Sequence, residues 1–290
     1  MFAIIGIVVV FGAVLGGFLL EKGPLAVLLQ PNEFIILGGA SIGALIAANP
    51  IHILKKLVGG VTMVLGGSKF NKARYTKSLK MMFVLFNKAR KDGLAGIESD
   101  IEEPEKSPIF AKYPDFLKDH HVRDFVCDTM RMAITGGANS YDLDQMMDLD
   151  MEVHHAGASL PAAALNSMAD ALPGMGIVAA VLGVVITMGA LGGPPEEIGK
   201  KVAAALVGTF LGILMCYGVV GPFASHMTKL IDDEHAYYYV LRVAMMSFIK
   251  GISPSLAVEM ARRAIPGHVR PGFQEVEKAC RAKDDVAAAA

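Results

Sequence analysis

The sequence predicts an all-α membrane protein with four transmembrane helices and a large helical cytoplasmic domain. Three observations predict it. Hydrophobic residues make up 53% of the 290 and charged residues only 19%, below the roughly 25% charge of an ordinary soluble domain. Four stretches approach the 20 or so apolar residues that a membrane helix needs. Between and after them lie long segments with helical periodicity and no sustained alternation of the strand kind. A net charge of −1 argues against a basic nucleic-acid binder.

The first span is read at Met1–Leu20, ending at Glu21-Lys22. With no basic region before it and no small-residue cleavage site, it is expected to be a retained helix and not a signal peptide. The second is placed at Phe34–Ile53, interrupted by Pro50, the third at about Leu172–Leu191 and the fourth at about Val202–Ala224. So bounded, the spans contain no Asp, Glu, Lys or Arg, and only His52 stands near an end. The chain divides into helices one and two (1–54), a cytoplasmic loop domain (55–170), helices three and four (171–225) and a cytoplasmic helical tail (226–290).

Lys and Arg counts set the orientation. The short connections near 21–33 and 192–201 hold Lys22, Lys200 and Lys201, the 55–170 loop holds fifteen, and the tail holds nine. Both large segments and both termini are therefore expected in the cytoplasm. Gly12-x-x-x-Gly16, Gly39-x-x-x-Gly43 and Gly208-x-x-x-Gly212 each put two glycines on one helix face, a pattern that permits close helix approach but is frequent in membrane helices generally.

In the loop, Tyr75, Leu79, Met82, Phe83 and Phe86 follow helical spacing within Lys72–Lys91, and Gly93 is a stop. A charge-dense turn follows, with Arg90, Glu98, Asp100, Glu102 and Glu103, broken by Pro104, Pro108 and Pro114. Further helices are predicted at His121–Thr135, Tyr141 to about His155, Asp233–Phe248, and from Ser253-Pro254, as N-cap and first-turn proline, through Arg263. Ala287–Ala290 are expected to be disordered.

Asp142, Asp144, Glu152 and His154-His155 suggest a metal loop at first sight. An EF-hand needs Gly at position six and Glu at twelve, but Met147 and Val153 stand there, so a solvated acidic helix face is the better reading. His120-His121 reads as surface. There is no GxSxG, P-loop or GxGxxG, and no cofactor is expected. Cys127, Cys216 and Cys280 form no CxxC pair, in keeping with reduced thiols.

The spans offer only Ser41, Asn49, Thr187, Thr209, Cys216 and Tyr217 as polar groups. Intramembrane ion paths normally use a titrating side chain, so a partner is expected to bring it. By helix rise, Thr187 lies ~21 Å from Pro173 and Thr209 ~20 Å from Pro222, which predicts a similar depth for the two threonines. Pro173 and Pro222 themselves read locally as ordinary first-turn and terminating prolines.

The stretch Leu172-Pro-Gly-Met-Gly-Ile-Val-Ala-Ala-Val-Leu-Gly-Val-Val185 and the stretch Val207-Gly-Thr-Phe-Leu-Gly-Ile-Leu214 with Tyr217 and Gly221-Pro222 resemble spans three and four of the MotA family of flagellar stator subunits. Ala89-Arg90, Gly96-Ile-Glu98, Asp100-Ile-Glu102, Pro104, Ile109-Phe110 and Tyr113-Pro114 resemble its rotor-facing segment, and the likeness covers nearly the whole chain. The resemblance implies a homo-pentameric ring in the bacterial inner membrane. The ring would surround a MotB-type single-span partner carrying the ion-binding Asp, and ion flow would drive the rotor protein FliG. It implies rotor contact for Arg90 and Glu98, coupling of ion binding to cytoplasmic movement for Pro173 and Pro222, and a channel-facing place for Thr209; the span hydroxyls add Thr187 as a candidate lining group, and Ala180 is counted with them as a position lining the ion path. Sodium-driven relatives have a threonine where this chain has Ala180; without that oxygen, protons are the expected ion and sodium the less expected. Gly221 departs from the usual serine before the fourth-span proline. An energy-transducing subunit of the ExbB and TolQ type, normally with three spans, and a self-sufficient channel are the alternatives.

Overall fold

The computed structural model describes residues 2–189 and 191–282. In chain order its helices are α1 (Phe2–Leu20), α2 (Leu25–Leu28), α3 (Pro31–Ala48), α4 (Ile51–Gly66), α5 (Lys72–Asp92), α6 (Glu98–Glu102), α7 (Pro114–Lys118) and α8 (His120–Thr135). They continue with α9 (Ser140–Met188), α10 (Pro195–Met215), α11 (Gly221–Ile249), α12 (Pro254–Ala264) and α13 (Phe273–Arg281). Short 3-10 turns cover Leu94–Ile97 and Phe110–Lys112, and a π turn covers Cys216–Val220. Among the described residues there is no strand. The predicted disorder at Ala287–Ala290 lies outside them.

Packing divides the chain into two compact units, Met1–Gly67 with Ala158–Ile231, and Ser68–Gly157 with Asp232–Ala290. Positions 54, 170 and 225, by contrast, are expectations about where a membrane ends.

Among the described residues, Ala3–Leu20, Leu25–Ala48, Ser140–Met188 and Pro195–Ile249 are helical stretches long and apolar enough to cross a membrane; the last two begin or end in the second unit. Large side chains such as Val8, Val9, Val181, Val185 and Ile186 are exposed on them. Such faces suit lipid or a neighbouring subunit. The second span differs from its predicted bounds. It ends at Ala48 because Pro50 forces Asn49 into extended backbone (φ −129°, ψ 136°), and the Asn49 amide donates back to the Leu45 carbonyl at 2.8 Å. A separate helix, α4, starts at Ile51 and buries Ile53 and Val64. The second span also starts earlier than Phe34: Pro31 at the first helical position opens α3.

The helices that carry the third and fourth apolar runs extend well beyond those runs. The predicted 141–155 helix and the third span are one helix, α9, with Pro161 and Pro173 inside it. The 233–248 helix likewise belongs to α11. Polar residues in those segments end the apolar pattern but not the helix.

The second unit has its core around α5, where Tyr75, Leu79, Met82 and Phe86 are buried as the spacing predicts and Phe83 is half-buried. Asn71 caps it, accepting from the Arg74 amide at 3.0 Å, and Gly93 ends it at φ 79°. The Phe86 ring stacks on Phe248 with centroids 4.4 Å apart. Arg74 pairs with Asp119 at 2.5 Å and lies over the Phe70 and Tyr237 rings. Two expectations need correction here. Ser253 precedes α12 but its side chain makes no cap bond; Pro254 at the first position starts the helix. The helix Phe273–Arg281 was not anticipated, because its nine residues follow a proline- and glycine-rich stretch.

Candidate functional site: a glycine seam in the apolar unit

Helices α9 and α10 approach closely because small residues line both faces. A Cβ placed on Gly176 would lie 2.9 Å from the Gly208 carbonyl oxygen, and one on Gly183 would lie 2.5 Å from the Ala205 methyl. A Cβ on Gly212 would stand 2.7 Å from the Leu172 carbonyl oxygen. Nothing larger than hydrogen fits at these positions. Of the three GxxxG pairs, Gly208 and Gly212 therefore form a helix contact within the chain, while Gly12, Gly16, Gly39 and Gly43 have nothing within 4 Å.

On this seam the Thr209 hydroxyl donates to the Gly176 carbonyl at 3.4 Å. That carbonyl is also the helical i−4 acceptor for the Ala180 amide. Thr209 and Ala180, two of the predicted lining positions, thus gather around one peptide oxygen. Thr187 does not join them. Its side chain is 6% exposed and donates to its own helix at the Gly183 carbonyl, 2.8 Å away. Eleven residues separate it from Gly176, ~16 Å along α9. The expected common depth of Thr187 and Thr209 fails because α10 meets Pro173 near Gly212 and runs on past it before reaching Pro222.

Neither proline is ordinary punctuation. Pro173 lies deep inside α9, where it has no amide hydrogen for the Ala169 carbonyl. Pro222 follows the π turn at Cys216–Val220 and does not end the helix, which continues as α11 to Ile249. In the turn the Gly221 amide donates to Cys216. A Cβ on residue 221 would press on that carbonyl oxygen at 2.7 Å, which explains glycine where serine is usual. π turns are rare and recur at functional sites.

Reading the second span from Phe34 missed a residue. Glu33 sits in the first turn of α3, 7% exposed, with its Oε2 enclosed and without a hydrogen-bond partner. The signal was in the sequence: Pro31 as a first-turn proline starts the helix ahead of Glu33. The spans are therefore not free of carboxylates, as their predicted bounds implied.

In the second unit Arg90 and Glu98 are both exposed. Arg90 makes one long bond, to the Gly251 carbonyl at 3.4 Å. Glu98 opens α6. The segment between them is anchored by Asp100, which is buried, accepts from Lys88 at 2.7 Å and from the Ser107 hydroxyl at 2.6 Å. That hydroxyl in turn accepts from the Ile109 and Phe110 amides, each at 3.2 Å. The acidic face of α9 is only partly solvated, since Asp144 and Asp148 both pair with Arg242. His120 and His121 are exposed, as read. Burial pushes the Cys127 thiol up to about 12 and Cys280 to about 11. Both therefore stay protonated.

Comparison with known proteins matches residues 4–93 to the family described as Motility protein A N-terminal, and residues 117–239 to the MotA/TolQ/ExbB proton channel family. Motility protein A of Salmonella typhimurium (strain LT2) is 37% identical over 282 residues, covering 97% of this chain and 96% of the relative. That of Escherichia coli K12 is 38% identical with the same coverage. Chemotaxis protein LafT of Vibrio parahaemolyticus is 33% identical, covering 94% and 96%. The fold matches the MotAB structure of C. jejuni with a TM-score of 0.77 at 19% identity, over 93% of this chain and 98% of that one. It also matches the MotAB stator complex of Bacillus subtilis at 0.74 and 22%, over 92% and 96%.

Proposed function

Because the chain belongs to the motility protein A family, we propose that it is a stator subunit of the bacterial flagellar motor. It assembles as a homo-pentamer around a MotB-type single-span partner, conducts protons with it, and turns ion flow into torque on the rotor protein FliG. It crosses the inner membrane four times with both termini in the cytoplasm. Thr209 and Ala180 line the ion path, Pro173 and Pro222 couple ion binding to movement, and Arg90 and Glu98 meet the rotor.

The observation that supports this most directly is the α9–α10 seam. Two apolar helices pack on glycines and present the Thr209 hydroxyl, a group that stays neutral at physiological pH. A hydroxyl can line a proton path but cannot carry the charge; in this reading the ion-binding aspartate is brought by the partner. The π turn and the proline inside α9 are the places where these helices can kink.

The test is proton flux into vesicles holding this chain alone, the chain with its partner, or the pair with the partner's aspartate changed to asparagine. Flux is expected only in the unaltered pair. Substantial flux through the lone chain would replace the stator function with that of a self-sufficient channel.

A further inference from the structure

Glu33 is the ionisable side chain buried in the second apolar stretch. Its Oε2 lies 2.5 Å from the position of a Cβ on Gly208, so the carboxyl fits only because residue 208 is glycine. The Ala179 methyl comes within 2.9 Å of the same position. Around it, Val27 and Leu28 beside α3, Met175 from α9, and Val207 and Leu211 from α10 pack on Leu37 in one apolar cluster. The side chains that α2, α9 and α10 pack in this cluster are all apolar, and among the described residues nothing hydrogen-bonds Oε2.

A buried carboxylate with neither a cation nor donors is costly to keep ionised, and acids retained in membrane spans face functional paths. The place of this one is specific. Gly208 precedes Thr209, and Ala179 precedes Ala180, so the carboxyl touches the seam at the level of both lining positions. Glu33 also stands three residues after Gln30, at the end of the connection that the charge count places outside.

We propose that Glu33 is a second proton-binding group of the motor, supplied by this chain. It takes a proton onto Oε2 from the outer side and yields it at the seam, where the partner's carboxylate would accept it. The proposal rests on the stator function above. Gly208 is the seat of the protonated carboxyl, and ionisation drives the side chain out of that seat.

The experiment uses the complex of this chain with its partner, with Glu33→Gln, which keeps the shape and removes the titration, and Glu33→Asp, which restores an acid. Infrared spectra of the purified complex should show a protonated-carboxyl carbonyl band that shifts in heavy water and is lost in Glu33→Gln. In vesicles, Glu33→Gln should lose the dependence of proton flux on outer pH, and Glu33→Asp should regain part of it. An unchanged band together with a wild-type pH profile in Glu33→Gln would overturn the proposal. Should the wild-type pair fail to conduct, the stator function fails by itself. The infrared arm would still decide whether Glu33 holds a proton, and loss of no band there would overturn the proposal.

Discussion

Gly212 and Gly176 face each other with no side chain between them: a Cβ on Gly212 would stand 3.1 Å from the Gly176 Cα. Gly212→Val should therefore force α9 and α10 apart, at about 1–3 kcal/mol as for other overpacked sites. Gly39→Ala, with open space at its Cβ, should change the stability of the isolated chain by less than about 0.5 kcal/mol. Thermal melting of the detergent-solubilised chain compares the two. Equal losses would mean that the seam is not closely packed.

Arg90→Glu and Glu98→Lys should reduce torque without loss of expression or partner binding, since both side chains are exposed and weakly held. Charges at the rim of a contact steer and orient it, so compensating reversals in FliG should recover part of the rotation. Asp100→Asn should behave differently. It weakens a buried ion pair and its hydroxyl network, costing roughly 1–3 kcal/mol, and should raise amide exchange across residues 94–110.

Thr209→Ala should lower proton flux in the assembled complex, whereas Thr187→Ala should leave it nearly unchanged, because that hydroxyl is committed to the Gly183 carbonyl. Motor speed at fixed membrane potential should follow the proton gradient and ignore sodium. A motor that stops on sodium removal would show that Ala180 does not set the choice of ion.

The tail should loosen in acid. Glu259 is held down to about 2, mainly by the Arg262 guanidinium that hydrogen-bonds it, with Arg263 adding to it. A depressed carboxyl stabilises the folded state fully above its ordinary value of about 4.5 and loses that contribution as pH falls toward about 2. Amide exchange over Pro254–Ala264, corrected for intrinsic rate, should therefore quicken between those limits. In Glu259→Gln it should already be quicker at neutral pH and flat across the window.

Native cysteines are buried, so single cysteines can report topology against a quiet background. An impermeant thiol reagent should label position 23 or 195 from outside, but not Ser99 or Asp233. Outside labelling of Ser99 would refute four passes with cytoplasmic termini.

Much of this was legible in the residues. Tyr75, Leu79, Met82 and Phe86 predicted a helix face that is buried, and uninterrupted apolar runs located the spans. What escaped has physical causes. Hydropathy marks where a helix turns polar, not where it ends, so α9 and α11 were each read as two pieces. Starting the second span at its first uncharged residue hid Glu33, because a carboxyl that finds a glycine notch can be buried among apolar neighbours. The pairing of Thr209 with Gly176 depends on the register of two helices, and spacing within either one cannot supply that. The π turn escaped because the bond from the Gly221 amide to the Cys216 carbonyl that closes it leaves no mark in the periodicity.

That turn has a consequence for changes in chain length. A π turn accommodates one residue more than an α-helical turn would, and each α-helical residue advances the helix by about 100°. Deleting one residue from 216–220 would thus let the turn close as an ordinary α-helical one, leaving the residues after it in phase with those before. Ala224, Met227, Leu230 and Ile231, which share one apolar cluster with Val64, Ala162 and Leu165, would keep their facing relative to Gly208 and Gly212. The same deletion in a uniform stretch of the helix would instead rotate everything after it by about 100°. The π turn is where this helix can lose a residue and keep its packing on both sides.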